Sequence, residues 1–522
     1  MSKIHIMHDS NNDNYFLDLT GRITDLETPI LRFNLSVHQE VNKDVWTLRD
    51  AVRGIQIFGG IGSGKSSGSG ATIARSYLKA GFGGIVYTSK IDEVDRWREY
   101  AKEEGREDEL IVFEDGSPLQ ANPLAIEAAR KGKIDAMTLT NLFMEMHEVV
   151  ESYSAGGKSG GSNDQFWDRT VKRFINNAIN LLLLAKEEVS VMNLRRILVS
   201  ALTKEELEAY NQLRHEFQMS EEGTERDNLK EQLDAFMNAH YGLQTLSKAS
   251  AHLSSAEDEE RYGFVKEYFL KMFPRLPQKT RAIVEESIYG LIEPFMNGVL
   301  RRHFSEGVSE DLLPENTFKK GSIIVINFPV KEYGIAGLLA QSIYKRRWQE
   351  AVERRDIDEY PLPVFQWIDE AQYFLNEKDA EFQTTARSSR ACTVYITQNI
   401  SNYYAVIGGS NPRDRVNSLL GNLATKIFHT NNDYVTNNWA SDTIGKTFQA
   451  QYSMNMNMEN VNGSTNMSKS LQYQIEPQQF TILKGGGSEN DFLVEAVITV
   501  AGKQWSNGKN FIMTTFDQNF KA

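Results

Sequence analysis

The segment Phe58–Ser67, which reads Phe-Gly-Gly-Ile-Gly-Ser-Gly-Lys-Ser-Ser, decides the fold class of this 522-residue chain. It fits the pattern Gly-x-x-x-x-Gly-Lys-Ser, which is typical of loops that bind nucleotide phosphates. Glycines let successive backbone N–H groups point inward around a polyphosphate, and the N-terminus of a following helix adds positive potential. The residues that we expect to bind the nucleotide are Gly59, Gly60, Ile61, Gly62, Ser63, Gly64, Lys65, Ser66 and Ser67.

The sequence on either side of this phosphate loop (Gly59–Ser67) fits the same interpretation. Gly54–Phe58 has the apolar character of a short buried strand, and Ala71–Ala80 has the spacing of a helix. Strand, loop and helix therefore follow in the order that the motif requires. Lys65 can reach the β and γ phosphates, and Ser66 can offer its hydroxyl to Mg²⁺. We predict a nucleoside triphosphate with Mg²⁺ as the cofactor.

Two adjacent carboxylates, Asp369 and Glu370, follow the mostly apolar segment Val364–Ile368. A nucleoside triphosphatase needs such a pair opposite its phosphate loop. Asp369 would hold a water bound to Mg²⁺, and Glu370 would orient the attacking water. The alternative is a strand that ends in two solvated acids.

The next predicted strand, Thr393–Thr397, ends at Gln398, which could contact a γ-phosphate and report its presence. A simple turn residue is the alternative. Upstream, Arg387 and Arg390 flank two serines. An arginine supplied across a subunit boundary stabilises transition-state charge, so either residue could act in trans, although arginines are also common on surfaces.

The composition is that of an ordinary soluble globular chain with 40% hydrophobic residues, 24% charged residues and a net charge of −13. A single cysteine, Cys392, excludes an intrachain disulfide, and the scattered histidines predict no structural metal. No apolar run approaches the roughly 18 residues that span a bilayer, so we expect a cytoplasmic chain that reaches the inner membrane only through a partner. The acidic charge argues against generalised binding of nucleic acid but permits a basic channel lining.

Strands alternate with helices on both sides of a long helical stretch, which predicts an α/β fold with a mostly parallel sheet. We predict a small β lead-in at residues 1–50, a nucleotide-binding motor domain formed by residues 51–135 and 310–522, and an inserted all-α domain at residues 136–309. Within that insertion, Thr203–Glu206 reads as a capping box that begins a helix.

Three other stretches carry weaker signals. Lys158 lies in a Gly/Ser-rich stretch, and Lys345–Arg347 is a basic run, so both could contact a cargo in a channel. A solvated helix face is the alternative for the basic run. Gln451–Ser470 is rich in methionine and asparagine, and we predict a flexible or hairpin-forming loop there.

With these residues in view, the chain resembles the additional-strand P-loop motors of the FtsK and HerA group, and more closely the type IV secretion coupling proteins, which are the TraD/TraG conjugation ATPases. The resemblance implies a RecA-like fold. The matching pieces, in chain order after the phosphate loop, are Tyr87–Lys90, Asn122–Leu124, Phe166–Asp168, Trp367–Gln372, Thr397–Gln398 and Thr436–Ala440.

In that family the ATPases form hexameric rings with nucleotide between subunits, and DNA passes through the central channel. The resemblance thus implies a homo-hexamer that hydrolyses ATP and translocates DNA, with a relaxase or secretion-apparatus protein as a further partner. Arg387 is closer to the family's arginine position than Arg390, which stands where relatives usually have glycine. The family's two N-terminal transmembrane helices have no counterpart here, which implies a soluble version recruited by a membrane partner, or a related DNA-processing or defence motor.

Three functions stay open at this stage. The first is an ATP-driven DNA translocase. The second is a motor for a protein cargo, with the helical insertion as its receptor, which the acidic charge mildly favours. The third is an assembly factor that binds ATP without appreciable turnover, although Asp369 and Glu370 together favour hydrolysis. A P-loop kinase is disfavoured because no compact acceptor pocket is apparent.

Overall fold

The computed structural model describes residues 21–33, 44–128, 135–154, 164–407, 411–456 and 463–519. Lys158 and much of the predicted N-terminal lead-in lie outside these residues. The chain divides into two compact units. The first unit comprises Met1–Phe113, Pro314–Glu332 and Trp348–Ala522, and the second comprises Glu114–Leu313 and Tyr333–Arg347.

The strands predicted at Gly54–Phe58, Val364–Ile368 and Thr393–Thr397 are present, with ends within two residues of the predicted positions. In chain order the strands of the described residues are β1 Pro29–Arg32, β2 Val45–Thr47, β3 Ile55–Phe58, β4 Gly83–Tyr87, β5 Leu110–Glu114, β6 Ile323–Asn327, β7 Val364–Ile368, β8 Ala391–Thr397, β9 Thr425–Phe428, β10 Lys446–Met456, β11 Gly463–Tyr473, β12 Leu493–Val500 and β13 Phe511–Asp517.

A central sheet of nine strands has the order β13-β12-β9-β3-β8-β7-β4-β6-β5. Neighbouring strands are parallel from β9 to β6, whereas β12 runs antiparallel to both β9 and β13. Strands β3, β4, β7 and β8 are buried along their whole length, as expected for parallel strands covered on both faces. The predicted α/β class with a mostly parallel central sheet is confirmed.

The register of the parallel strands brings several loops to one edge of this sheet. Phe58 at the end of β3 pairs with Thr397 at the end of β8, and Tyr87 at the end of β4 pairs with Ile368 at the end of β7. The phosphate loop therefore leaves the sheet at the same edge as the residues that follow β4, β7 and β8. This carboxyl edge is where open α/β sheets bind their ligands.

The helices of the described residues lie mainly between strands or in the long stretch between β5 and β6. They are α1 Leu48–Ala51, α2 Ala71–Lys79, α3 Glu93–Glu103, α4 Pro123–Ala128, α5 Ala136–Ser154, α6 Asp164–Leu184, α7 Val191–Val199, α8 Lys204–Met219, α9 Thr224–Ala239, α10 Tyr241–Ala251, α11 Ala256–Glu267, α12 Gln278–Ile292, α13 Gly298–His303, α14 Asn316–Lys319, α15 Val330–Tyr333, α16 Ile335–Glu353, α17 Glu377–Ala386, α18 Ile400–Ile407, α19 Pro412–Asn422 and α20 Tyr434–Ile444. None of these helices combines the length and apolar composition that a bilayer crossing requires.

The second unit contains a helical core that local sequence signals specify. Val171, Phe174, Ala178 and Leu182 share one face of α6 and are all buried. The predicted capping box is present, because Thr203 accepts a hydrogen bond from the Glu206 N–H and the Glu206 carboxylate accepts one from the Thr203 N–H. The Thr203 hydroxyl and the Glu206 carboxylate thus accept from two backbone N–H groups at the start of α8 that would otherwise lack partners.

The interpretation of Lys345–Arg347 as a cargo contact or a solvated helix face is wrong. Lys345 is 1% exposed and Arg347 is 4% exposed. The Arg347 guanidinium lies 3.0 Å from the Glu127 carboxylate in the same unit, and Arg346 lies 3.7 Å from Glu145. A buried guanidinium needs such a partner, so Arg347 is an internal residue of the helical unit and does not lie on a solvated face.

Two small antiparallel pairs complete the first unit. β1 and β2 pair near the N-terminus. β10 and β11 form a hairpin in which Lys446 pairs with Tyr473 and Met456 with Gly463. Of the two alternatives for Gln451–Ser470, the structure therefore has the hairpin, and its tip lies outside the described residues.

Candidate nucleotide-binding site

The phosphate loop connects β3 to a π-helical turn, Ser66–Gly70, which continues into α2. Gly62 and Gly64 have φ angles of +71° and +74°, a region that side chains other than glycine rarely adopt. A Cβ on Gly64 would also lie only 2.4 Å from Cγ2 of Val494 on β12. Glycine is therefore required at position 64 both by the backbone conformation and by the close approach of β12.

Backbone hydrogen bonds fix the start of the loop against the sheet edge. Gly59 N–H donates to the Thr397 carbonyl at 3.3 Å, and Gly60 N–H donates to the Thr430 carbonyl at 2.8 Å. Ser63 Oγ is buried and has no hydrogen-bond partner among the described residues. Because a buried hydroxyl needs a partner, this orphaned group fits a loop shaped to hold a polar ligand.

The two halves of the predicted site meet at Ser66 and Asp369. Ser66 Oγ donates to Asp369 Oδ2 at 2.7 Å, although the residues are 303 positions apart in sequence. Asp369 follows β7, and its other oxygen, Oδ1, accepts the N–H of Glu370 at 2.9 Å. A hydroxyl and a carboxylate in contact at the start of a helix are oxygen ligands of the kind that Mg²⁺ prefers.

Glu370 is held in an unusual backbone conformation with φ of +54°, which is uncommon for a residue other than glycine. Its side chain is 4% exposed. Burial alone would raise the pKa of this carboxyl. A hydrogen bond from Gln372, the positive charges of Lys65 and Lys90, and a hydrogen bond from Gln398 outweigh burial and lower the pKa instead. Glu370 is therefore an ionised carboxylate at neutral pH.

Two amide side chains position this carboxylate. Gln372 Nε2 donates to Glu370 Oε2 at 2.8 Å, and Gln372 Oε1 accepts from Thr397 Oγ1 at 2.7 Å. Gln398 Nε2 lies 3.4 Å from Glu370 Oε1, and the Gln398 carbonyl accepts from Asn431. The network links the ends of β7 and β8, so a change at Gln398 can reach Glu370 directly.

The loop after β4 adds Lys90 and Glu93, neither of which the sequence singled out for a role. Lys90 Nζ lies 3.5 Å from Glu370 Oε1. The buried Glu93 carboxylate accepts from both the N–H and the hydroxyl of Ser89, at 2.8 and 2.9 Å. Burial, followed by the charge of Asp369, raises the pKa of Glu93 above its usual range. Since β4 lies beside β7 in the sheet, its carboxyl end delivers these groups to the carboxylate pair.

A cavity of about 20 Å³ adjoins the Ser66 and Asp369 pair. Glu93 and Arg96 of α3 also line it. This volume is enough for about one water molecule, and the lining supplies the polar partners that an ordered water needs. The cavity therefore leaves room for water beside the candidate Mg²⁺ ligands.

A third residue that the sequence did not single out, His429, follows β9 and contacts the π-helical turn through Ser69. Its Nδ1 lies 3.0 Å from the Glu495 carbonyl, which can only accept, so Nδ1 carries the proton. Its Nε2 lies 2.7 Å from Ser69 Oγ and accepts from that hydroxyl. Burial lowers the pKa of His429 to about 4, and the charge of Lys65 acts in the same direction. The ring is therefore neutral at physiological pH.

The two candidate arginines have different surroundings. Arg387 is exposed just after α17. Arg390 has φ of +48°, and its guanidinium donates to the carbonyls of Thr24 and Pro361. Glycine adopts a positive φ readily because it has no Cβ, so this conformation is the physical reason why glycine suits position 390. The Arg390 guanidinium is bonded within the chain, so Arg387 stays the better candidate for a role in trans.

The chain is similar to known proteins in two ways: one segment matches a protein-family model, and the fold matches solved structures. Residues 363–481 match the family model described as the TraM recognition site of TraD and TraG. No curated protein matches the chain in sequence. The matched segment contains β7 to β11, and with them Asp369, Glu370, Arg387 and Gln398.

Among solved structures, an unbound form of the bacterial conjugative coupling protein TrwB covers 92% of this chain and 88% of its own, with 12% identity and a TM-score of 0.52. The plasmid coupling protein TrwB in complex with the non-hydrolysable GTP analogue GDPNP covers 92% and 89%, with 12% identity and a TM-score of 0.51. TrwB in complex with ADP and Mg²⁺ covers 92% and 88%, with 12% identity and a TM-score of 0.50. The chain thus has the RecA-like fold of the conjugative coupling proteins and a TraD/TraG-type segment at residues 363–481, and its resemblance to type IV secretion coupling proteins is confirmed.

Proposed function

We propose that this chain is an ATP-hydrolysing motor that translocates DNA, as a counterpart of the conjugative coupling proteins. The observation that carries the proposal is the contact between Ser66 of the phosphate loop and Asp369 after β7, with the ionised Glu370 next to it. A loop for phosphates, a candidate magnesium site and a carboxylate that can act on water occupy one edge of the sheet. Those are the parts that hydrolysis of a nucleoside triphosphate needs.

ATP with Mg²⁺ fits the residues present. The glycine backbone and Lys65 would hold the phosphates, and Ser66 Oγ with Asp369 would hold the metal, directly or through water. When bound, Mg²⁺ neutralises charge on the β and γ phosphates. The orphaned Ser63 Oγ supports this assignment, because a ligand oxygen in the loop would give it a partner. The TrwB structure with ADP and Mg²⁺ supports the same cofactor.

Glu370 is the residue that we assign to the attacking water. Its carboxylate accepts a hydrogen bond from that water and takes up its proton at Oε1 or Oε2. Gln372 fixes the carboxylate on one side, while Lys90 and Gln398 lie near Oε1. Gln398 would report whether a γ-phosphate is present, because any shift of its amide changes the position of Glu370.

We assign a homo-hexamer with Arg387 reaching the neighbouring subunit's site. An exposed arginine after α17 is free to cross a subunit boundary, and an arginine in trans makes hydrolysis depend on assembly. DNA is the proposed cargo in the channel of that ring. Lys158 stays a candidate contact, whereas the ion-paired Arg347 does not.

The test is ATP hydrolysis by the purified full chain with and without DNA. We expect single- or double-stranded DNA to stimulate hydrolysis several-fold, and Glu370→Gln to lower the rate about 100-fold or more while nucleotide binding persists. Glu381→Gln, on the exposed face of α17, is the matched control and should behave as the wild type. If neither single- nor double-stranded DNA changes the rate of ATP hydrolysis, the translocase proposal is wrong. If Glu370→Gln keeps full activity, the catalytic site is assigned to the wrong residues.

A protein cargo or docking partner is the second candidate. The matched segment is described as a TraM recognition site, which favours a relaxosome or secretion-apparatus protein as a partner. If hydrolysis responds to such a protein and not to DNA, the protein-cargo function replaces the first proposal. A response to both would make the protein a loading partner of a DNA motor.

A further inference from the structure

A cavity of about 360 Å³ lies in the first unit, at the edge of the central sheet opposite to the phosphate loop. It is formed where β9 begins and the antiparallel β12 ends. Its volume falls in the range of small-molecule sites, roughly 300–1,000 Å³. The lining residues that matter here are Lys426, Thr443, Thr499, Val500, Gly502 and Asn510.

Lys426 is the unusual member of this lining. It lies on β9, in register between Gln56 of β3 and Thr499 of β12, and only 8% of the residue is exposed. Its Nζ donates to the Leu423 carbonyl at 2.5 Å. Within the described part of the chain, no carboxylate forms an ion pair with it. A lysine buried to this extent is almost always paired.

The surroundings of Lys426 are cationic rather than neutralising. Burial, and next the charge of Arg53, lower the pKa of Lys426 to about 8. At pH 7 the ammonium is therefore still largely protonated. The other lysine in the lining, Lys503, is already balanced by Asp50, whose carboxylate lies 2.6 Å from its Nζ. Lys426 consequently lines the cavity as a buried cation that has no ion-paired carboxylate in the part of the chain that the structure describes.

The rest of the lining favours an anion with a small organic body. Ala424, Val500 and Ala501 provide apolar wall, while Thr443 and Asn510 provide neutral polar groups. A doubly charged phosphate is less suitable, because Asp50 lies against the second lysine and would repel it. A group with a single negative charge is sufficient to pair with Lys426, and the nearby charge of Arg53 also favours an anion.

We propose that this cavity is a carboxylate-binding site in which Lys426 pairs with the carboxylate and the apolar wall covers the attached carbon chain. The carboxylate belongs either to a free low-molecular-weight acid or to the C-terminus of a peptide. Both sources present the same chemistry to Lys426, and they differ in how much of the cavity they fill.

Titration of the full chain with acetate, with the peptide acetyl-Gly-Gly-Ala and with the amide of that peptide tests this proposal at constant ionic strength. We expect acetate and the acid peptide to bind and to raise the melting temperature, and the amide to have no effect. Tighter binding of the acid peptide than of acetate identifies a peptide terminus as the ligand, and the reverse order identifies a free acid. The proposal is wrong if the peptide amide binds as tightly as the peptide acid. It is also wrong if chloride raises the melting temperature as much as acetate does.

Variants locate the binding. Lys426→Met should weaken binding of the better probe at least ten-fold, whereas Lys102→Met, which removes an exposed lysine of α3, should leave it unchanged. Thr443→Trp fills the cavity from an exposed position of α20 and keeps the ammonium, so it should weaken binding even if Lys426→Met fails to fold. Unchanged binding in Thr443→Trp would contradict the assignment.

Discussion

Two buried lysines, Lys65 and Lys426, lie at opposite edges of the same sheet and have opposite electrostatic surroundings. Lys65 is 9% exposed, and its charge lowers the pKa of Glu370 at the carboxyl edge. Lys426 is 8% exposed at the other edge, where the charge of Arg53 acts on it. The first lysine belongs to a set of matched charges, whereas the second has no ion-paired carboxylate among the described residues.

This difference shows how far charge balance alone can identify a ligand. At the carboxyl edge, the charges of Lys65 and Lys90 act on Glu370, and the charge of Asp369 also acts on Lys90, so Mg²⁺ and a polyphosphate can enter together, with the metal offsetting part of the phosphate charge. At the other edge, the charge of Arg53 adds to that of Lys426, which favours an anion. The two sites are therefore expected to differ in ligand class, and variants at each lysine should separate them.

The largest effect is expected for Lys65→Met. Loss of the ammonium that contacts the β and γ phosphates should lower ATP hydrolysis about 100-fold or more and weaken ATP binding. The measurement is steady-state hydrolysis together with binding of a fluorescent ATP analogue. Lys102→Met is the matched control, because Lys102 is exposed on α3. If Lys426→Met abolished nucleotide binding and Lys65→Met did not, the two lysines would have been assigned to the wrong ligands.

A smaller effect is expected from acidification, through His429. The folded-state pKa of about 4 lies below the usual value of 6.5, so the unfolded chain binds the proton first as the pH falls. The contribution of this group to stability is complete above about pH 6.5 and declines below it. On moving from pH 7.5 to pH 5, the wild type should lose about 2 kcal/mol more of its free energy of unfolding than His429→Gln.

Denaturant unfolding at the two pH values checks this expectation. Equal losses in the wild type and in His429→Gln would show that the ring is not buried and neutral as described. A loss of ATP affinity in the same pH range would further connect His429 to the phosphate loop, because its protonation removes the closer of two acceptors for Ser69 Oγ, the other being the Lys65 carbonyl at 3.3 Å.

The sequence predicts the carboxyl edge well because its parts are local. The phosphate loop is a continuous motif, and Asp369 and Gln398 each directly follow a strand that an apolar run indicates. The contact between Ser66 and Asp369 then depends only on the rule that carboxyl ends of parallel strands share an edge. The assigned roles of these residues stay predictions until hydrolysis is measured.

What the sequence does not reveal depends on which strands become neighbours. Lys90 and Glu93 reach Glu370 and Asp369 because β4 lies beside β7, an order that periodicity does not encode. Arg347 resembles one member of a solvated basic run, yet its partner Glu127 is 220 positions away. Lys90 lies in Tyr87–Lys90, a stretch that already belongs to the resemblance with the coupling proteins, whereas no motif in the sequence marks His429.

Ser66 and Asp369 are assigned to one magnesium site, and a double-mutant cycle is the sharpest test of that assignment. ATP affinity would be measured as a function of Mg²⁺ concentration for the wild type, Ser66→Ala, Asp369→Asn and the double variant. We expect each single variant to lose most of the Mg²⁺ dependence and the double variant to lose little more, since both residues act on one ion. Losses that add in full would show that the two residues bind independently, and the shared magnesium site would then be wrong.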